Sequence, residues 1–258
     1  MTATQYFLSY RGASTPALDI FILVILAAAL LLGIRLIIER PRHDPAVHSP
    51  RMAWLRGGLY FCFIIVLAWL TGVLPALVSE PLILPGQLAS PGWLALSALC
   101  AALLIWGYVI WWPRGTLTYG RRLYLLPSVL FGLAWGACGS LLLLSVYAII
   151  EGFQWPAWVT ALLSVLVVAI YNVNYQSGWW DIHVSPPHNI RAWNNRKVIG
   201  AHNPFLIATL AHLVLFGNAA LFVLIYAAAL ACSAVAMHFP PFWEADGPPV
   251  SLDTAIGE

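Results

Sequence analysis

Asp181, His183, His188 and His202 are the residues of this sequence whose types and spacing could carry chemistry, in the pattern D-x-H-x4-H-x13-H. A carboxylate with two or three imidazoles is a reasonable inner shell for iron, copper or zinc. Asn189, Asn194 and Asn195 stand close enough in sequence to orient such ligands. The spacing matches none of the specific metal motifs, such as H-E-x-x-H. The same imidazoles suit proton transfer or contact with lipid headgroups, because histidine titrates near neutrality. The competing reading is structural: polar side chains satisfy backbone groups where an irregular segment meets a bilayer.

His212 lies in apolar sequence after Pro204. An imidazole there could be an axial ligand to a tetrapyrrole, or a hydrogen-bonded link between helices. Asn172 and Asn218 read as links of the second kind. His43 and His48, in PRHDPAVHSP, either complete a metal site or belong to a proline-rich loop.

The elements that must position these residues follow from composition. The chain is 61% hydrophobic and 9% charged, with mean hydropathy +0.83. Soluble chains carry about 25% charged residues, so part of this one is solvated by lipid. Apolar runs at 17–38, 57–78, 93–112, 123–150, 155–172 and 204–237 predict an all-α, polytopic transmembrane helical bundle of about six spans. Backbone in hydrocarbon must bond internally, and the alternation of a membrane barrel is missing. Residues 1–238 read as a single transmembrane domain, with a polar insert at 173–203 between spans five and six and an irregular tail at 239–258. The last run is long for one span; Gly217-Asn218 is where it would break in two. The run from Ala17 to Ile38 is too long for the apolar core of a signal peptide.

Basic residues fall after the first, third and fifth spans: Arg40, Arg42, Arg51 and Arg56; Arg114, Arg121 and Arg122; Arg191, Arg196 and Lys197. Those loops are therefore expected on the cytoplasmic side of an inner membrane, with both termini outside. Splitting the last span would bring the tail inside. The net charge of +2 is spread over loops and gives no reason to expect nucleic acid. Cys62, Cys100, Cys138 and Cys232 lie in apolar runs without a close pair, so they read as small buried hydrophobes.

Within the insert, Pro186-Pro187 interrupts any helix, and Ile190 to Val198 reads as a short interfacial helix. Arg191, Arg196 and Lys197 would meet headgroups or a partner, and Trp193 would anchor it. Asn203 is the expected N-cap of the last span, with Pro204 in its first turn. In span four, Gly132, Gly136 and Ser140 recur every four residues, a small-residue ridge that lets helices approach closely. It reads as packing within the chain before it reads as a dimer seam.

Some classes are disfavoured. No Asp, Glu, Lys or Arg sits in mid-span, which makes an ion-driven pump hard to build. No internal repeat marks a secondary transporter. No GxSxG, P-loop or GxGxxG occurs in a fitting context. Lys197, the only lysine, is in a loop, which excludes a retinal-type Schiff base.

Two segments carry a family resemblance. The third span, LSALCAALLIWGYVIWWPRG, and the order of Pro187-His188, a basic-aromatic stretch and Asn203 before the last span resemble the photosynthetic complex assembly proteins of purple bacteria. The resemblance implies an accessory factor for pigment-protein complexes in an inner membrane. It carries over no catalytic residue.

Two main functions follow. One is a non-enzymatic membrane accessory or assembly factor that docks partner helices through the span-four ridge and meets a partner, pigment or lipid through the insert and His212. The other is a membrane metalloenzyme acting on a lipid or isoprenoid, with Asp181, His183, His188 and His202 at the cytoplasmic interface. A copper monooxygenase subunit is a third. The cofactor expectation is correspondingly open: a metal ion, a tetrapyrrole, or none.

Overall fold

The computed structural model describes residues 49–111, 122–178 and 198–247, with isolated helical positions at Ile20, Leu23, Val24, Ala27 and Leu31. For 169–178 and 198–199 only the backbone course is described. The described residues are all-helical. Asp181, His183, His188, Arg191, Trp193, Arg196 and Lys197 lie outside them, as do His43 and His48.

Helix α1 spans Pro50–Leu70 and helix α3 begins at Pro91. Both start on a Ser-Pro pair. Ser49 and Ser90 accept hydrogen bonds from the amides of Met52 and Trp93, at 3.5 and 3.3 Å. The proline beside each serine has no N–H to leave orphaned. This cap moves the start of α1 back from the expected 57 to 50, so Arg51 and Arg56 lie on the helix. The expected span of 57–78 also breaks. Thr71 returns its hydroxyl to the Leu67 carbonyl at 2.9 Å, Gly72 takes φ 82°, and a short helix α2 follows at Val73–Ser79. Glycine is favoured there because a Cβ meets the carbonyl oxygen in that conformation.

Helix α3 runs as α-helix over Pro91–Leu104 and widens to a π-helix over Ile105–Trp111. Helix α4 is Leu125–Glu151 and helix α5 is Ala157–Gly178, which continues past the expected boundary at 172. A π-turn at Val198–His202 then leads into helix α6, Asn203–Phe216. Asn203 is therefore inside the helical run rather than capping it. The proline ring at 204 would collide with the carbonyl four residues back in a regular helix; the wider turn at 198–202 removes that conflict. Gly217, at φ 71°, ends α6, and helix α7 follows at Ala219–Ala236. The 204–237 run is thus two helices, broken at the Gly217-Asn218 pair.

Among the described residues, four helices are long and apolar enough to cross a membrane: Pro50–Leu70, Pro91–Trp111, Leu125–Glu151 and Ala219–Ala236. Ala157–Val168 and Gly200–Phe216 are shorter apolar helices. Four of the expected crossings correspond to these helices, and the expected span at 17–38 lies almost wholly outside the described residues.

The pairing of side chains sets the directions. Gly92 meets Phe216, Ser97 meets His212, Gly107 meets Ala201 and Trp111 meets Gly200, so α6 and its π-turn run antiparallel along the whole of α3. Trp54 meets Phe131, and Gly57 to Phe61 share a cavity wall with Ala134 to Cys138, so α1 and α4 are parallel. Helix α7 lies antiparallel on α4, which is the most enclosed helix: every residue from Ser140 to Glu151 is buried. The core is Leu and Ile from α4 with Ile64, Tyr108, Phe205, Phe222 and Tyr226.

The chain after α7 turns back at once. His238 adopts φ 52°, and the Phe239 amide donates to the Ala234 carbonyl at 2.9 Å, a Schellman-type cap. Phe239 then stacks on Phe131 with centroids 3.7 Å apart, and Pro240 accepts from the Trp54 indole at 2.9 Å. A hydrogen bond from Tyr124 to Glu244 raises that phenol above its ordinary pKa. Residues 237–246 thus lie at the end where α1 and α4 begin, beside Arg51, Arg56 and Arg122. The break at Gly217-Asn218 adds one reversal of direction and brings the end of α7 to the end where α1 and α4 begin.

Candidate functional site

Two π-helical segments meet where α3 ends and the run into α6 begins. Widening from α to π adds a residue to the turn and re-aims side chains, and such segments are frequent at functional sites. The π-segment of α3 carries Tyr108, which has no exposed surface. The π-turn before α6 carries His202. The Tyr108 hydroxyl and His202 Nδ1 are 2.6 Å apart, a short hydrogen bond whose donor follows the imidazole tautomer. Phe205 and Tyr226 enclose the pair, Phe205 lying 5.1 Å from the Tyr108 ring and 5.0 Å from the Tyr226 ring.

Glycines make the approach possible. A Cβ on Gly200 would lie 1.8 Å from two carbons of the Trp111 indole, so that ring occupies the space a side chain at 200 would need. A Cβ on Gly107 would lie 3.2 Å from the Ala201 methyl. Trp106 and Trp111, with centroids 5.9 Å apart, flank the junction on the outer side of α3.

Of the tentative metal set only His202 is described. Tyr108 engages its Nδ1 edge, which leaves Nε2 as the edge that could bind a ligand. An imidazole oriented through its other nitrogen is the usual arrangement of a metal-binding histidine. Among the described residues no three of His, Cys, Asp and Glu gather to form a metal centre.

His212 belongs to a different region. It is buried on α6, with Nε2 2.9 Å from the Ser97 hydroxyl and its ring 5.7 Å from Trp93 and 5.3 Å from Phe216. The contact between its Nε2 and Ser97 joins α6 to α3, as an interhelical link does. Asn218 is likewise a link. Its amide nitrogen donates to Gln87 Oε1 at 2.8 Å and to the Leu82 carbonyl at 2.9 Å, while Gln87 Nε2 donates to Asn218 Oδ1 at 2.6 Å. Gln87 also donates to the Phe216 carbonyl and accepts from the Leu84 amide. This reciprocal amide pair ties the 82–90 loop to the turn between α6 and α7.

The small-residue ridge faces α7. A Cβ on Gly132 would come within 2.5 Å of the Leu230 carbonyl and Ala231 Cα, and one on Gly136 within 2.4 Å of the Tyr226 carbonyl. Ser140 donates to the Gly136 carbonyl at 2.9 Å. The ridge is filled by the chain's own helix, so it cannot at the same time dock a partner.

No family model, curated protein or solved structure matches this chain. The residues themselves are what bears on function. Tyr108, Ser97 and Gln87 are functional or structural polar residues that sequence reasoning passed over. Tyr108 and Ser97 sit singly in an apolar run with no spacing to mark them, and Gln87 is hidden in the loop sequence LPGQLASPG. A usable signal was present for Tyr108: a glycine before it and tryptophans on either side mark a place of close approach.

Proposed function

We propose that the chain is a multi-pass membrane accessory factor that docks partner helices along the outer face of α3 and presents a polar face at its basic end. The observation that carries this reading is the α3 surface. One side of the helix is taken by α6, and the rest exposes Leu94, Leu99, Ile105, Trp106, Val109 and Ile110 along its length. Lipid would solvate such a face, and a partner's apolar helix would pack on it equally well. The bias of basic residues toward the cytoplasmic side supports reading the adjoining end, which carries Arg51, Arg56 and Arg122, as cytoplasmic. Assembly of a pigment-protein complex is the form of this reading that the family resemblance suggests, in which case Trp193, Arg191, Arg196 and Lys197 meet the partner.

The test is proximity capture in native membranes. A photo-crosslinking residue replaces Leu99, with a second chain carrying it at the buried Leu142 as control. The reading predicts one dominant membrane-protein adduct from position 99 and none from 142. Only lipid adducts from position 99 would overturn it.

A second reading has its own observation. The Tyr108–His202 pair is an oriented acid-base couple beside the insert, which favours the metalloenzyme acting on a lipid or isoprenoid. Elemental analysis of the purified chain decides it. Stoichiometric iron, copper or zinc that is lost in both His202→Ala and His188→Ala would establish that reading in place of the first.

A further inference from the structure

We infer that the groove between α1 and α4 is a lipid site, which takes one acyl chain of an anionic phospholipid with the Arg51 guanidinium on the phosphate. The groove encloses about 110 Å³. Trp54, Tyr60 and Phe61 of α1 and Phe131 and Trp135 of α4 form most of its wall, and Gly57 and Gly58 add no side chain between Trp54 and Tyr60. A Cβ on Gly58 would meet nothing within 4 Å. Gly58 differs in this from Gly132 and Gly136, whose missing side chains are filled by α7.

The groove has a definite polarity. Its end toward the basic face is walled by Trp54, whose indole is held by the Pro240 carbonyl, and is floored by the Phe131–Phe239 stack. Arg51 stands three residues before Trp54 and seven before Gly58. Positions spaced by three, four and seven share one face of a helix. Arg51 is therefore on the Trp54–Gly58 edge of the groove face, about one helical turn beyond the aromatic wall, and it is exposed. The remainder of the groove runs toward Cys138 and the bilayer interior.

A guanidinium at the mouth of a hydrocarbon slot fits a ligand that carries both an anion and an apolar chain. Arg binds phosphate through a planar fork of donors, and the cytoplasmic leaflet supplies anionic headgroups at the depth of α1's first turn. A partner helix would fill the slot with a side chain but would bring no anion to Arg51. The site does not depend on which partner the α3 face meets.

The test reconstitutes the full chain in nanodiscs of phosphatidylcholine with a minority of phosphatidylglycerol that bears a photoreactive acyl chain. The labelled peptides are then identified by mass spectrometry. Labelling is expected to concentrate on 57–61 and 131–138. Gly58→Leu, which fills the slot without touching backbone, is expected to reduce it roughly tenfold. Arg51→Gln, at an exposed position that leaves the fold intact, is expected to erase the preference for phosphatidylglycerol over an equally photoreactive phosphatidylcholine. Label spread evenly over the outer faces of α1 and α3 would overturn the proposal, as would a headgroup preference unchanged by Arg51→Gln. A protein adduct formed at Gly58→Cys in native membranes, without lipid label in the groove, would assign the slot to a partner instead.

Discussion

Single residues decide where this chain can bring backbones together. Gly132 and Gly136 allow α7 to lie on α4 at a distance that no other residue permits, because an added Cβ falls inside the contact radius of a backbone carbonyl. Backbone cannot step aside as a flexible side chain can. Gly136→Leu is expected to cost on the order of 3 kcal/mol or more, the upper range for overpacking a core. Unfolding in mixed micelles would measure this, with Gly139→Leu as the control. Gly139 lies on the same helix but has open space at its Cβ, so its substitution should be nearly neutral. Equal losses at the two positions would show that the ridge does not set the α4–α7 contact.

Elements begin and end here through short local devices rather than through hydrophobicity. The Ser-Pro starts of α1 and α3, the left-handed Gly72 and Gly217, and the Schellman-type turn at His238 each settle a boundary that the apolar runs leave open. The break between α6 and α7 also depends on a distant loop, because Gln87 satisfies groups on both sides of it. Removing one amide leaves the other buried without its partner, at a cost of about 1–3 kcal/mol. Gln87→Ala and Asn218→Ala are each expected to fall in that range. The double variant should lose clearly less than the sum, since each single change already breaks the shared bonds. A thermal-denaturation cycle in detergent would read the coupling, and strict additivity would rule out the pair as a unit.

At the scale of the molecule, the order of helices places both the tail and the starts of α1 and α4 at one end, with the 82–90 loop at the other. The Phe239 stack, the Trp54–Pro240 hydrogen bond and the Tyr124–Glu244 contact all hold the tail there. In a cysteine-free background, Leu88→Cys is expected to react with a membrane-impermeant maleimide on intact cells. Asp246→Cys should react only after permeabilisation. Reaction of both on the same side would contradict the crossing pattern, and reversed reactivity would invert the orientation drawn from the arginines.

Much of this was legible from residue order alone. Low charge and long apolar runs determined an all-helical membrane chain, because backbone in hydrocarbon must bond to itself. The four-residue spacing of Gly132, Gly136 and Ser140 marked a close helix contact, whereas a break at Gly217-Asn218 was only one of two readings of a run counted as a single span. Tertiary structure alone decided which helix meets the ridge, and that the fracture is real, since Gln87 comes to it from a loop far away in sequence. It also decided that His212 is tied to Ser97 while His202 is tied to Tyr108. Periodicity reports which residues share a face of one helix. It carries no record of which second helix that face will meet, and these polar pairs are made only across such meetings.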